Sequence, residues 1–341
     1  MSRRQVRRRI RRPARHRRRA AVAAGSALLL TGPLLAGCGL HSGTVIPSDV
    51  GPGTLGQGLP LKGVTLTIAS KNFTENVILA EMMGLVWTAA GATVVDRTNI
   101  SGSIGARQAI VTGTADGMYE YTGTGWITYL GNTKPIADPQ KQWQAVRDAD
   151  VKNGVTWLPQ SRLNDTYALA GNAANVAKYH LRTLSDVAAL SKSNPSAVTL
   201  CVDNEFAVRD DGLTGMEKAY GMSIPRSNLR TMDAGIVYTT LSAGKSCLLG
   251  DVYSTDGRIP ALKLKVLEDD KHFFPNYNAA PVINTKALKQ NPSIPSLLDP
   301  LSARLDDTVA QELNGKVDVQ GQDPRAVARQ WLIDQHFVVA K

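Results

Sequence analysis

Histidine is scarce in this chain, with five in 341 residues, and none stands in a spacing that binds a metal or builds a proton relay. His16 and His41 lie near the N-terminus, while His180, His272 and His336 are isolated from any HxH, HExxH or nucleophile-elbow setting. Metal-assisted hydrolysis and a Ser-His-Asp relay therefore find no support. A hydrolase built on Ser70 or Ser254 would need a nearby histidine that the surrounding motifs lack. A phosphate loop is missing as well: "ISGSIG" at 100–105 has no terminal Gly-Lys-Ser/Thr and reads as the start of a helix. Beyond residue 37 no run approaches the roughly 18 uninterrupted apolar residues that span a bilayer, so no crossing helix is expected in the mature chain. No repeat of fixed period is present. The chain reads as a binding protein and not an enzyme, with no cofactor and no metal.

What the sequence has in excess is arginine, and the excess sits in one place. The formal net charge is +10, yet residues 1–37 hold eleven arginines and no acid, leaving 28 basic residues against 29 acidic ones elsewhere. The basicity belongs to a leader, and no nucleic-acid partner is expected. An apolar run, "AAVAAGSALLLTGPLLAG", follows; Gly and Pro interrupt it too often for a membrane span, and it reads as an export signal. It stops at Leu35-Ala36-Gly37-Cys38, which resembles the bacterial lipobox. That resemblance implies cleavage before Cys38 and lipidation of its thiol; an ordinary uncleaved anchor is the alternative. Residues 1–37 are thus read as a signal peptide. Residues 38–63, rich in Gly, Pro, Ser and Thr, are read as a lipidated cysteine and a flexible tether holding the folded body on the outer face of the membrane. Cys201 and Cys247 form an even pair in an exported domain, so a disulfide is permissible, two buried free thiols being equally compatible.

A chain of this length divides into two cores more readily than it builds one, so two lobes are expected. From Val64 the pattern alternates strands and helices: "VTLTIAS", then "ENVILAEMMGLVWTAAG" at helical spacing, "TVVDRTN", "GSIGARQAIVTG" and "DGMYEYT". This βαβαβ order predicts a mostly parallel sheet flanked by helices. "TWLPQSRLNDTYALAGN" settles into neither period and reads as a crossing between lobes. A second series follows through "AVTLCVD", "NLRTMD" and "SCLLGDVYSTD", and the C-terminus is helical by periodicity. The boundaries are set at 64–168 for the first part of one lobe, 169–277 for the other, and 278–341 for the return to the first.

Tyrosines recur where strands end: Tyr121 in "EYTGTG", Tyr167 in "NDTYALA", Tyr253 in "DVYSTDG" and Tyr277 in "FPNYNAAP". Each alone reads as a half-buried packing residue, but the ends of strands are where α/β sheets place ligands. "ASKNFTENVILAEMM", "DGMYEYTGTG", "LNDTYALA", "EFAVRDDGLTGMEKAYG", "DVYSTDGRI" and "VLEDDKHFFPNYNAAPVIN" follow in that order. Together they resemble the osmoprotectant (glycine betaine/carnitine/choline) substrate-binding proteins of ABC transporters. The resemblance implies a two-lobed periplasmic-binding-protein fold of type II, and a monomer that delivers its solute to a membrane permease with an ATPase partner. It implies a four-tyrosine box at Tyr121, Tyr167, Tyr253 and Tyr277. It also implies a carboxylate clamp of Lys71, Thr124 and Arg209, with Asp165 contributing its backbone carbonyl. A glycine-betaine-like solute is expected, with choline or carnitine as alternatives; a sensory ectodomain would keep the fold but need a second spanning helix.

The chemistry agrees with that expectation. A quaternary ammonium has no N–H to donate and keeps its charge at every pH, so aromatic faces are what can recognise it. A carboxylate needs a guanidinium fork, an ammonium and a hydroxyl. None of the named groups ordinarily titrates between about pH 6 and 9, so binding is expected to be level there.

Overall fold

A computed structural model of the protein describes residues 43–341. The signal-peptide reading of 1–37 and the lipidation of Cys38 lie outside the described residues.

One sheet has six strands, in the order Thr44–Val45, Thr93–Ile100, Thr65–Lys71, Gly117–Tyr121, Ala279–Asn284 and Val155–Trp157. At its centre is the expected parallel ladder, in which Thr65–Lys71 runs parallel to Thr93–Ile100 and to Gly117–Tyr121. The central strand is buried from Leu66 to Lys71, as befits a strand covered on both faces. Helix Thr74–Ala89 supplies much of that cover. Its apolar residues surround it almost completely, so it is buried between the sheet and helix Pro324–Asp334. Gly91 stops it at φ +97°, a conformation that residues with a Cβ rarely adopt.

The other sheet has five strands, in the order Leu264–Val266, Tyr167–Asn172, Leu249–Tyr253, Leu200–Asp203 and Leu229–Met232. Leu200–Asp203 is parallel to both of its neighbours. In both sheets antiparallel strands flank the parallel ladder, a feature that hydrophobic periodicity does not reveal. The consequence is positional: an antiparallel strand begins where its parallel neighbour ends. Tyr167 thus lies opposite Tyr253, and Ala279, two residues after Tyr277, lies opposite Tyr121.

The chain leaves the first sheet after Trp157, enters the second at Tyr167 and returns between Val266 and Ala279. Tyr167 and Ala168, assigned above to the first lobe, are therefore part of a second-sheet strand. The apolar alternation of "NDTYALA" does not mark where one sheet gives way to the other.

The flexible-tether reading of 38–63 fails for its described part. Thr44–Val45 pairs with Val95 and Asp96, and Val50–Pro52 pairs with the C-terminal strand Val338–Ala340. Val50 and Leu61 are fully buried, and Ile46 and Leu55 nearly so. These apolar residues follow no helix or strand period, yet each fills a place in the core, and one of the two strands finds its partner at the far end of the chain. Burial and cross-chain pairing offset the entropy of ordering a Gly- and Pro-rich segment.

The two cysteines are bonded: Cys201 in strand Leu200–Asp203 joins Cys247, just before the adjacent strand, with Cα atoms 5.7 Å apart. Among the described residues no helix is long and apolar enough to cross a membrane.

Candidate functional site

A cleft of about 830 Å³ opens between the two sheets at the edge where their parallel strands end. All eight residues expected from sequence line it: Lys71, Tyr121 and Thr124 from the first lobe, Tyr167, Arg209 and Tyr253 from the second, and Asp165 and Tyr277 from the crossings. Its lining carries eight acidic side chains against three basic ones, a balance that favours a cation.

The aromatic rings form one contiguous wall. Phe73 lies between Tyr121, at 5.8 Å between centroids, and Tyr253, at 5.1 Å. Tyr253 is 5.4 Å from Tyr167, which meets Tyr277 nearly edge-on at 5.5 Å. Burial pushes all four tyrosine hydroxyls well above their ordinary pKa, so the rings stay neutral. The "EYTGTG" turn holds this wall together. After Tyr121 the chain winds into the helical turns Thr122–Thr124 and Gly125–Tyr129. A Cβ on Gly123 would lie 2.6 Å from the Tyr277 ring, so only glycine lets that tyrosine close against the turn.

Lys71 and Arg209, which stand against this wall, are already paired with carboxylates of the protein. Lys71 Nζ donates to Glu120 Oε1 at 2.6 Å and stands 4.7 Å from the Tyr121 ring centroid. Arg209 donates through Nε and a terminal nitrogen to both oxygens of Asp211, at 2.7 and 2.5 Å, and through the other terminal nitrogen to Glu205 at 2.7 Å. It also reaches the Thr124 hydroxyl at 3.3 Å, and Tyr277 donates its hydroxyl to Asp211 at 2.8 Å. Clamp and aromatic wall are thus one hydrogen-bonded unit.

Beside the backbone carbonyl expected of Asp165, its side chain has partners of its own. The single hydroxyl of Thr255 lies 2.5 Å from Glu75 Oε2 and 2.7 Å from Asp165 Oδ1. One hydroxyl has one proton to give, so the second contact requires a carboxyl that donates, and the pair holds a proton. Burial raises both carboxyls, and the charge of Glu75 raises Asp165 further. Because the folded chain keeps a proton that the unfolded chain releases in the ordinary carboxylate range, stability is lost as pH rises through the raised values. Glu81, pushed up to about 8 chiefly by burial and next by Asp96, acts with the same sign outside the cleft. Urea unfolding across about pH 5 to 9 is expected to show stability falling with pH, and Glu75→Gln to remove part of that slope. A Glu75→Gln slope equal to that of the parent would contradict the shared proton.

Residues 64–334 match the family model described as the substrate binding domain of ABC-type glycine betaine transport system. The chain belongs to that family. A Pseudomonas aeruginosa relative named glycine-betaine-binding protein is 38% identical over 279 residues, covering 80% of this chain and 89% of the relative. A carnitine transport binding protein of Listeria monocytogenes is 30% identical, covering 81% and 89%. A crystal structure described as a glycine betaine/carnitine/choline ABC transporter superposes with a TM-score of 0.64 at 31% identity, covering 80% of this chain and 99% of that one. The fold is that of the type II periplasmic binding proteins in this family.

Several residues of this family member's cleft escaped the sequence reading. Phe73 stands inside "ASKNFTENVILAEMM", where a single phenylalanine before a helix is indistinguishable from a core residue. Glu75, Glu205 and Asp211 act as partners of the tyrosines and of Arg209, and nothing in their spacing distinguishes them from solvated acids. Ser70 and Ser254, the two candidate nucleophiles, give their hydroxyls to backbone carbonyls of Lys71 and Asn164.

Proposed function

We propose that the protein is the extracytoplasmic substrate-binding component of an ABC importer, capturing a quaternary-ammonium compatible solute between its lobes. The carrying observation is the wall of four tyrosines and Phe73, drawn from both lobes into an acidic cleft. Each ring face contributes about 0.5–2 kcal/mol to a desolvated cation, so several together supply much of the roughly 8 kcal/mol of a micromolar complex. Glycine betaine or a related betaine is the proposed solute, and the names of the Pseudomonas and Listeria relatives support that class. Choline is the second reading, favoured by the pairing of Lys71 and Arg209 with protein carboxylates. Cys38 would carry the lipid anchor, and the monomeric receptor would pass its solute to a permease driven by an ATPase. The role is binding and not catalysis, and the backbone bonds of Ser70 and Ser254 support it.

Calorimetric titration of the purified protein with glycine betaine, carnitine and choline tests the reading. Tyr253→Ala is expected to weaken every ligand that binds by a similar factor, about 2- to 30-fold, because each presents the same trimethylammonium to the ring. Unchanged affinity in that variant would remove the tyrosines from the site.

A further inference from the structure

We propose that Glu205 is a built-in carboxylate of the cleft, standing where a ligand carboxylate would stand and setting the preference between ligands with and without one. The proposal rests on the quaternary-ammonium reading of the same cleft.

Glu205 lies two residues beyond strand Leu200–Asp203, in the second lobe, and its carboxylate bridges the cleft. One oxygen accepts from Arg209 at 2.7 Å and from the Ser103 hydroxyl; the other accepts from the Ser103 backbone N–H at 2.9 Å. Ser103 is the second residue of helix Gly102–Val111 of the first lobe, so Glu205 joins the guanidinium of one lobe to the first turn of a helix of the other. Of the five N–H donors of a guanidinium, those of Arg209 are directed at Asp211, Thr124 and Glu205, leaving one unassigned. A bidentate grip on a ligand carboxylate is therefore already taken.

A solute ending in a carboxylate must either stand beside Glu205, with like charges in one small space, or displace it from its three bonds. A solute ending in a hydroxyl can donate to Glu205 as it stands. The positive charges of Lys71 and Arg209, with the Ser103 and Arg209 hydrogen bonds, outweigh burial and hold the Glu205 carboxyl below its usual range, so it is charged at neutral pH. Two roles separate here. A carboxylate that only ties the lobes together would support closure on any ligand, whereas one that occupies the anion position affects the two ligand types in opposite directions.

Calorimetry of the purified protein with glycine betaine and with choline, in the parent and in Glu205→Gln, decides between them. Choline is expected to weaken about tenfold in Glu205→Gln while glycine betaine holds or tightens, moving their affinity ratio by about tenfold or more toward betaine. Glu205→Asp, which keeps the charge and withdraws it by one methylene, should move the ratio the same way by less and serves should the glutamine variant fail to fold. Loss of both ligands by one common factor, or no change in either, would overturn the proposal while leaving the ammonium site intact. A parent protein that binds neither ligand would overturn both.

Discussion

Arg209→Ala is expected to cost stability as well as affinity, by about 3–5 kcal/mol in urea unfolding, the range for removing one partner of a buried ion pair. Arg209 is 6% exposed, and both oxygens of the equally buried Asp211 accept from it. Without the guanidinium, Asp211 is left buried with the Tyr277 hydroxyl as its donor, and an uncompensated charge remains beneath the aromatic wall. The guanidinium also lies 5.6 Å from the Tyr167 ring centroid. A residue that served the ligand carboxylate alone would spare choline when removed. The shared network predicts instead that betaine and choline both weaken, since two of the tyrosines lean on it. Arg209→Lys keeps the charge and loses the fork, so it should recover part of the stability. An Arg209→Ala protein as stable as the parent would show that Asp211 relaxes into solvent and that the clamp is not structural.

Replacing Cys201 and Cys247 together by alanine should cost about 4 kcal/mol of unfolding free energy, the loop-closure value for cysteines 46 residues apart. The bond ties two adjacent parallel strands, Leu200–Asp203 and Leu249–Tyr253, whose C-terminal ends carry Asp203 and Tyr253 into the cleft. Parallel neighbours meet only after a long crossover, so the chain entropy removed by the bond is large. Both cysteines are buried, which makes the double variant a cleaner probe than reduction of the native protein. A variant within about 1 kcal/mol of the parent would mean that the unfolded chain already holds these strands close.

The central strands and the long buried helix were legible from their residue types and lengths: "TLTIASK" is a short stretch rich in β-branched residues, and Thr74–Ala89 is a long apolar stretch of helix-forming residues that stops at a glycine. The tyrosines were legible because three of them end or begin a strand and Tyr277 lies two residues before one, and the structure gathers all four with Lys71, Thr124, Asp165 and Arg209 around one cleft. Partnership was not legible. Nothing in the sequence shows that Ile46, Val50, Leu55 and Leu61 dock into the core, because their strand partners and neighbours lie far along the chain. The same limit hid Glu205 and Glu75: Glu205 meets Ser103 and Glu75 meets Thr255 across the cleft, while Arg209 and Tyr121 are their partners within their own lobes. Periodicity reports which face of an element is apolar; it carries no signal for which acid meets which donor once the lobes are assembled.

The claim that the aromatic wall recognises a fixed positive charge is tested most directly by pairing choline with its neutral carbon isostere, 3,3-dimethylbutan-1-ol, in calorimetric titrations of the purified protein. The two share shape and hydroxyl and differ in the charge at the branched centre. Ring faces acting through their quadrupoles predict that the isostere binds at least about 30-fold more weakly than choline, a difference of about 2 kcal/mol. Equal affinities would show a pocket that selects apolar bulk and would contradict the tyrosine cage.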